Sequence, residues 1–300
     1  MDRFAAMRTF VRVAELGTLS AAARELGLTQ PAISQQVAAL ERHLNMRLLH
    51  RSTRQLALTE SGETYYQRAR HILQTVEEAE EEAAGLSTGV QGNLRVHAPV
   101  GFGQMHLAPI VIDFQKQHPD VSIELILDDR FADLVAEGVD VAIRFGALAS
   151  SGLVARKLAS FERILVASPD YIARHGNPQT PGELSDHRHV RFVWAPQGEV
   201  IPLVGSEGPV TVPVRSGFLA NNAFVLNQAL CAGLGIGGAQ VPLVQSFLDE
   251  STLVRVLPAY RYAPMDMHVV YPTAKFLPRK VRAFVDHLAA RIKGIPGLNS

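Results

Sequence analysis

Three short helical patterns, separated by glycines, occupy the first 45 residues and restrict the fold more than any other feature of the sequence. In the first pattern, apolar residues recur at helical spacing and so share one face. They are Phe4, Met7, Val11 and Ala14. Gly17 follows them, and glycine commonly ends a helix in the left-handed conformation. We therefore expect a small helical domain to begin the chain.

The second and third helices are expected to be joined by a tight turn. Ser20 is predicted to cap the second helix, AAARELG, which Gly27 closes. Thr29 is a suitable N-cap for the third helix. Pro31 falls in the first turn of that helix, where a missing backbone N–H costs nothing. Two helices joined through a glycine turn are typical of a helix-turn-helix.

The third helix has two dissimilar faces. Its apolar face carries Ile33, Val37, Leu40 and Leu44, and its opposite face carries Gln30, Ser34, Gln35, Ala38 and Arg42. Gln and Ser can reach base edges in the major groove, and no carboxylate that would repel phosphates occurs between Gln30 and Leu40. This pattern predicts a recognition helix; a purely structural helical subdomain is the alternative.

A wing is predicted after the third helix. The sequence RLLHRSTRQLALTESG has two short β-like stretches around Ser52 and Thr53. Arg47, Arg51 and Arg54 are spaced to neutralise backbone phosphates, a contact that positions a protein on DNA without specifying sequence.

The distribution of charge supports this interpretation only weakly. The net charge is zero, which by itself argues against a nucleic-acid binder. Residues 1–60 nevertheless carry eight Arg against five acidic residues, whereas residues 61–90 carry two Arg against six Glu. The chain thus has a weakly basic head, an acidic rod and a nearly neutral body.

The rod is predicted to be a helix that Thr59 caps and that runs from Glu60 to Leu86, roughly 40 Å long. One apolar stripe consists of Tyr66, Ala69, Leu73, Val76 and Ala83, and a second consists of Tyr65, Ile72, Ala79 and Leu86. Two stripes imply two contacts, one with the head and one with a partner rod. Gly62, in the first turn of the rod, would allow another part of the backbone to approach closely. The acidic run 77–82 is expected to be solvated. The glycine-rich stretch GLSTGVQGN is predicted to be a hinge into the next domain.

The body alternates β and α patterns, which indicates a parallel α/β sheet. The strands are NLRVH, VSIELIL, DVAIR, ERILVAS and MHVVY, and the helices lie at about 102–117 and 131–137 and in AFVLNQALCAGLG and KVRAFVDHLAARIK. The late strand and helix suggest that the chain crosses back to the first half. Two α/β halves joined by two crossovers create a cleft at the strand ends, where small ligands bind.

The stretch from FVRVAELG to LTESG resembles the DNA-binding domain of the LysR-type transcriptional regulators, unbroken over about the first 60 residues. APVGFGQMHLAPIVIDF, DLVAEGVDVAIRFG and LVARKL resemble the periplasmic-binding-protein-like (type II) effector domain of that family. The resemblance implies that the rod is a linker helix forming an antiparallel dimer contact. It also places Gln30, Pro31, Ser34 and Gln35 on the recognition helix and Arg51 and Arg54 on the wing.

From these observations we predict an α+β multidomain protein with three parts. They are a winged helix-turn-helix (1–59), a linker helix and hinge (60–90), and an effector domain (91–300) whose subdomain I is about 91–161 and 267–300 and whose subdomain II is about 162–266. The predicted DNA-binding residues are Ser20, Thr29, Gln30, Pro31, Ser34, Gln35, Arg42, Arg51 and Arg54.

The predicted effector site is the turn from the first strand into a helix, where backbone N–H groups and the helix dipole suit an anion. The candidate residues are Pro99, Val100, Gly101, Phe102, Asp129, Arg144, Phe145, Asn221, Asn222 and Gly238. Two alternatives stay open. Arg144 could instead form a structural ion pair with Asp128 or Asp129, and Asn222 could serve only as an N-cap.

Other motifs in the sequence carry little weight. Gly233-Leu-Gly235-Ile-Gly237-Gly238 fits the dinucleotide-binding glycine pattern, but it follows a helix rather than a strand and reads as a tight helix-to-strand connection. Asp186-His187-Arg188-His189 lacks further metal ligands. Cys231 is the only cysteine, which excludes an intrachain disulfide. No metal, cofactor or enzyme activity is expected.

The function expected from the sequence is that of a ligand-responsive transcription regulator. Its expected partners are double-stranded DNA with a pseudo-palindromic operator, a small anionic or aromatic effector, RNA polymerase, and itself as a homodimer or homotetramer. The sequence shows neither a signal peptide nor an apolar run of about 18 residues, so a cytoplasmic protein without a membrane contact is expected. The alternative is an α/β solute-binding or enzymatic protein with an incidental helical extension.

Overall fold

The computed structural model describes residues 2–50, 56–83, 89–130, 133–134, 137–148, 153–193, 199–272 and 277–299. The chain divides into two compact units, one of Met1–Gly89 with Ala132–Val139 and the other of Val90–Phe131 with Asp140–Ser300. No helix in the described part of the chain is both long and apolar enough to cross a membrane.

The N-terminal unit begins with α1 (Arg3–Leu16), α2 (Leu19–Leu26) and α3 (Gln30–Leu44). Gly17 and Gly27 end the first two helices in the left-handed conformation, with φ of 69° and 65°. Thr29 caps α3 by accepting a hydrogen bond from the backbone N–H of Ala32, and Pro31 lies in the first turn. The predictions for these helix ends are confirmed.

Two details of the helix predictions were wrong. Thr18, not Ser20, caps α2, because Thr18 is the last extended residue and its side chain accepts a hydrogen bond from Ala21 N. Ser20 lies inside the helix with its side chain exposed. Phe4 is 53% exposed because α1 turns Ala6, Phe10 and neighbouring residues towards the core instead.

The apolar face of α3 anchors that helix through two buried clusters. Ile33 and Val37 pack with Val13 and with alanines of α2. Leu40 packs with Phe10 and with other residues of α1 and of the long helix described below. Because this face is buried on both sides, α3 holds its opposite face at the surface.

A short hairpin and a long helix complete the described elements of this unit. Strands β1 (Leu49–His50) and β2 (Ala57–Leu58) pair antiparallel, as expected of a wing. Helix α4 runs over Glu60–Ala83, and the last predicted residue of the rod, Leu86, lies outside the described residues. Ala69 and Leu73 of one stripe are buried against the head and Tyr65 of the other stripe packs beside them, whereas Ile72 of that other stripe is 42% exposed.

The C-terminal unit holds the remaining elements. They are β3 (Gly92–Ala98), α5 (Val100–Phe102), a π-helical turn (Gly103–Leu107), α6 (Ala108–Gln117), β4 (Val121–Leu127), β5 (Val141–Phe145), β6 (Val154–Phe161), β7 (Arg163–Ala167), α7 (Pro169–His175), a 3₁₀ helix (Pro181–Asp186), β8 (Arg188–Phe192), β9 (Val200–Gly205), β10 (Gly208–Pro213), β11 (Arg215–Ala220), α8 (Ala223–Cys231), β12 (Ile236–Gln240), α9 (Val241–Asp249), β13 (Val254–Val256), β14 (Met265–Tyr271), α10 (Arg279–Ile292) and β15 (Leu298–Asn299).

These strands form two main sheets. The first has the order β15-β6-β14-β5-β3-β4 and the second the order β11-β8-β12-β7-β13, while β9 and β10 form a separate hairpin. In the first sheet β3 pairs parallel with β4 and β5, but β14 pairs antiparallel with β5 and β6. The parallel arrangement predicted for NLRVH, VSIELIL and DVAIR is therefore confirmed, and the late strand β14 returns to this sheet, as predicted, but runs antiparallel to its neighbours.

Two other sequence predictions can be compared with the structure. Of the helix predicted at 131–137, residues 133–134 and 137 are described, and these are not helical, although Glu137 N donates to Asp133 O four residues earlier. The segment after α8 is the tight connection that the sequence predicts, since Gly233 has a φ of 74° and β12 begins three residues later.

Phe114 of α6 and Phe284 of α10 meet edge to face against the first sheet, with ring centroids 5.3 Å apart.

Candidate functional site

The outer face of α3 carries most of the predicted DNA-binding side chains. Gln30, Pro31, Ser34, Gln35 and Arg42 are all exposed. They stand opposite the buried apolar face, so the backbone that carries them is held by the core of the N-terminal unit. This arrangement offers a rigid helix with hydrogen-bonding groups to the major groove.

Neighbouring contacts hold several of these groups in place. Ser20 Oγ lies 3.3 Å from Gln30 Oε1, which joins the start of α2 to the first residue of α3. Arg42 Nε donates to Ala38 O one turn earlier in the helix. Gln36, on the inner side, accepts a 2.5 Å hydrogen bond from the buried Thr9 hydroxyl.

The wing is described only at its base. Arg51 and Arg54 lie outside the described residues, whereas Arg47 has a side chain that is 57% exposed. Sequence reasoning missed Glu41, whose Oε1 accepts hydrogen bonds from Leu48 N at 2.8 Å and Leu49 N at 3.2 Å. No local sequence signal identifies this contact, because it joins a helix to the residue before β1 and to the first residue of β1, seven and eight residues later.

A cavity of about 420 Å³ lies in the C-terminal unit and is lined from both of its main sheets. Its size falls within the range of small-molecule sites. Of the predicted effector residues, those that line it are Pro99, Gly101, Phe102, Asp129, Arg144, Phe145 and Gly238. Val100, Asn221 and Asn222 do not line it.

One wall of the cavity is aromatic. Phe102 and Phe145 meet edge to face with centroids 5.6 Å apart, and Phe145 in turn meets Phe161 at 4.9 Å. Beside this wall, Gly101 allows α5 to lie close to α8 and α9, because a Cβ there would lie 2.9 Å from Leu243 Cδ1 and 3.2 Å from Ala223 Cβ. The wall suits the apolar or aromatic body of a ligand.

The amide predicted to bind an anion already has a partner within the chain. Val100 N donates to Asp129 Oδ1 at 3.1 Å. Burial raises the pKa of Asp129, the neighbouring carboxylate of Asp128 raises it further, and the bond from Val100 opposes both effects. Asp128 itself is engaged by Arg130, whose Nε and Nη2 donate to its carboxylate. The predicted anion site thus has a carboxylate of the protein at its edge.

Two arginines bring positive charge to the cavity. Arg144 is 7% exposed, and its Nη1 lies 3.2 Å from His97 Nδ1. Burial, and then the charge of Arg144, lower the pKa of His97 to about 4, so the imidazole is neutral at pH 7 and can accept from Arg144. Arg163, which the sequence did not single out, stacks over Tyr262 with Cζ 4.4 Å from the ring centroid.

Apart from Gly238, the second half of the unit lines the cavity with residues other than those predicted. Asn222 is the N-cap of α8 and accepts from Phe224 N and Val225 N, so the capping alternative holds for its side chain. Asn227, one turn further along, lines the cavity while its Nδ2 donates to Leu243 O. Its position inside an apolar helix was the available signal, since a buried amide requires a partner.

The histidines of the segment 186–189 belong to the core rather than to a metal site. His187 Nδ1 lies 3.1 Å from Tyr171 Oη, and His189 Nε2 lies 2.7 Å from Leu184 O. Among the residues that the structure describes, no group of three or more His, Cys, Asp or Glu side chains could hold a metal ion.

Comparison with known proteins identifies both parts of the chain as domains of one family. Residues 4–63 match the model of the bacterial regulatory helix-turn-helix protein, lysR family, and residues 87–293 match the LysR substrate binding domain. The HTH-type transcriptional regulator YhjC of Escherichia coli is 38% identical over 98% of this chain and 99% of its own. The HTH-type transcriptional activator AaeR of the same organism is 33% identical over 96% and 93%. An HTH-type transcriptional repressor of Pseudomonas aeruginosa is 36% identical over 95% and 91%.

Solved structures lead to the same conclusion. The full-length virulence activator AphB of Vibrio cholerae is similar, with a TM-score of 0.63, 31% identity and coverage of 96% of this chain and 99% of AphB. CrgA of Neisseria meningitidis, a LysR-type transcriptional regulator, has a TM-score of 0.62 and 31% identity over 95% and 97%. A solute-binding protein or enzyme with an incidental extension is therefore disfavoured. The chain belongs to the LysR family of transcriptional regulators, with a helix-turn-helix that binds DNA and a C-terminal domain that binds an effector.

Proposed function

We propose that this regulator binds a pseudo-palindromic operator as a homodimer or homotetramer and that a small anionic or aromatic effector changes the arrangement of the assembly. The observation that carries the proposal is the exposed polar face of α3, held from behind by Ile33, Val37 and Leu40. Paired recognition helices related by a twofold axis would read two half-sites of the operator.

We assign base contacts to Gln30, Ser34 and Gln35, because amides and hydroxyls can bond base edges in the major groove. The other proposed DNA-binding residues position the domain on the phosphates or at the helix start: Ser20, Thr29, Pro31, Arg42, Arg51 and Arg54. Those among them that are described are exposed, as contact with DNA requires.

The proposed dimer contact is the second stripe of α4, at Ile72. Ile72 is 42% exposed, whereas Ala69 and Leu73 of the first stripe are buried, and an exposed apolar residue on such a helix suits a second helix of the same kind. The proposed domain limits are 1–59, 60–90 and 91–300. They are supported by the start of α4 at Glu60 and of β3 at Gly92.

Strand membership supports the two proposed subdomains. The first sheet draws its strands from residues 92–161 and 265–299, and the second draws them from residues 163–256. Subdomain I is therefore proposed as about 91–161 and 267–300, and subdomain II as about 162–266.

The effector proposal rests on the cavity between the two sheets. Arg144 and Arg163 offer positive charge and the Phe102–Phe145 wall offers an apolar face, so a small organic acid, aromatic or branched, fits best. Binding would shift the population between two arrangements of the assembly and so change the spacing of the heads or the bend of the DNA. RNA polymerase is the proposed further partner, and the cytoplasm is the proposed location.

A mobility-shift titration tests the DNA-binding part of the proposal, with the DNA upstream of the protein's own gene as probe. We expect binding that weakens steeply as salt rises, because phosphate contacts release counterions. Binding that is absent at low salt would contradict the proposal.

A thermal-shift screen with aliphatic and aromatic carboxylic acids tests the effector part. A binding acid is expected to raise the unfolding temperature of the wild type and to do so much less in Arg144→Gln. Ligands that stabilise both proteins equally would remove Arg144 from the site.

A further inference from the structure

The segment between α3 and β1, residues 46–48, is held from two sides by specific hydrogen bonds. On the α3 side, Glu41 Oε1 accepts from Leu48 N and Leu49 N. The Glu41 side chain is only 11% exposed, and Leu48 is fully buried. A carboxylate that accepts two backbone N–H groups forms bonds about twice as strong as neutral ones.

On the α4 side, Thr59 forms the remaining hydrogen bonds to this segment. Its hydroxyl donates to Arg47 O at 2.7 Å, its backbone N–H donates to Leu48 O at 3.0 Å, and the same hydroxyl accepts from Gly62 N at 2.9 Å. The β1–β2 hairpin therefore leaves α3 in a direction fixed by one side chain of α3 and one residue at the start of α4.

From this geometry we infer that Glu41 is a positioning residue for DNA binding: its carboxylate fixes the direction of the hairpin relative to the recognition helix. The inference rests on the DNA-binding role of α3 and of the wing. Arg47, which precedes the hairpin, lies beside the same carboxylate, with Nη1 3.7 Å from Glu41 Oε2. Along α3, Glu41 lies directly before Arg42, which is one of the exposed residues proposed to contact DNA.

The direction in which DNA affinity changes when the Glu41 carboxylate is removed distinguishes a positioning role from a role as a surface charge. If Glu41 acted only as a surface charge, its carboxylate would repel the phosphates and weaken DNA binding. Its neutralisation would then tighten DNA binding. If Glu41 instead positions the hairpin, its removal leaves two N–H groups without their acceptor, and the hairpin loses its phosphate contacts.

The experiment compares four full-length proteins: wild type, Glu41→Gln, Glu41→Leu and Glu25→Gln. Gln keeps an acceptor oxygen of the same reach, whereas Leu keeps only the shape. Glu25→Gln is the matched control, because it removes the same charge from the same unit at an exposed position where Glu25 pairs with Arg12 rather than with the hairpin.

The readouts are affinity for the DNA upstream of the gene, the slope of affinity with salt, and a hydroxyl-radical footprint. We expect Glu41→Leu to bind about tenfold more weakly, with a salt slope reduced by about one or two and protection lost at the outer edges of the footprint. Protection at the centre of each half-site should persist. The DNA affinity of Glu41→Gln should lie between those of Glu41→Leu and wild type. Glu25→Gln should bind like wild type or slightly more tightly.

Several outcomes would overturn the inference. These are Glu41 variants that bind as tightly as Glu25→Gln, or weaker binding with an unchanged salt slope and a footprint weakened uniformly. If Glu41→Leu does not fold by circular dichroism, Glu41→Gln carries the test alone. Wild-type binding to the same DNA decides the proposed function separately, so its failure is distinguishable from failure of the inference.

Discussion

Gly62 offers the sharpest test of packing in the N-terminal unit. A Cβ built on Gly62 would lie 2.0 Å from Leu48 O and 2.9 Å from Leu48 C. Ordinary contact begins at 3.4 Å, so the substitution Gly62→Ala must move α4 and the residue before β1 about 1.4 Å further apart. Both neighbours are backbone atoms, and a side-chain rotation cannot relieve the contact.

The expected magnitude follows from opposing effects. Alanine favours a helix over glycine by at most about 1 kcal/mol. Overpacking costs about 1–3 kcal/mol, and loss of the hydrogen bond from Thr59 N to Leu48 O costs about 1 kcal/mol more. The steric effect wins, and we expect the free energy of unfolding of this unit to fall by about 1–3 kcal/mol.

Differential scanning calorimetry of the full chain measures this change. A unit of this size should lose roughly 4–8 °C of its unfolding temperature per kcal/mol. Gly89→Ala is the control, because a Cβ there meets nothing within 4 Å. A Gly62→Ala protein as stable as Gly89→Ala would refute the close approach of α4 and Leu48.

Three further predictions concern the recognition helix and the effector domain. The double substitution Ser34→Ala with Gln35→Ala should reduce discrimination between operator and random DNA more than it reduces non-specific affinity, as measured by competition binding; equal losses would mean that another face enters the groove. Ile33→Ala should destabilise the N-terminal unit by about 2–5 kcal/mol in thermal unfolding, because the side chain is fully buried; a cost under 1 kcal/mol would contradict its anchoring role. The pKa of His97 is lowered to about 4, so between pH 6.5 and pH 4 this residue binds a proton in the unfolded state but not in the folded state. Its contribution to stability is therefore present above pH 6.5 and is lost as the pH falls from 6.5 to 4. The free energy of unfolding should fall by up to about 3 kcal/mol over this range. Thermal unfolding of His97→Gln between these pH values should therefore depend less on pH than that of wild type, and identical profiles would contradict the lowered pKa.

The elements with local signals were predictable from the sequence. Gly17, Gly27 and Thr29 each identify a helix end through the conformation or the hydrogen bond that the residue favours, and the structure has these ends where they were expected. The hairpin of β1 and β2 and five strands of the C-terminal unit (β3, β4, β5, β7 and β14) were predicted for the same reason. Their patterns depend on neighbours within a few residues.

Features that depend on distant parts of the chain were not predictable. The direction of β14 depends on how the chain returns from the second sheet, and the strand pattern MHVVY is the same for either direction. Glu41 reads as a solvated charge on a helix until its bonds to the segment before β1 are seen. In the cavity, Arg163 of β7 and Asn227 of α8 lie beside residues of the first sheet that are distant in sequence, and no local pattern predicts this.

The position of β14 has a consequence for synthesis of the protein. The helices and hairpin of the N-terminal unit are encoded within the first 83 residues, so this part can fold while the ribosome is still at work. The first sheet, however, cannot close between β5 and β6 until residues 265–271 have emerged. A message truncated before the codons for residues 265–271 would therefore yield a protein that has its helix-turn-helix but lacks the strand that joins β5 to β6 beside the cavity.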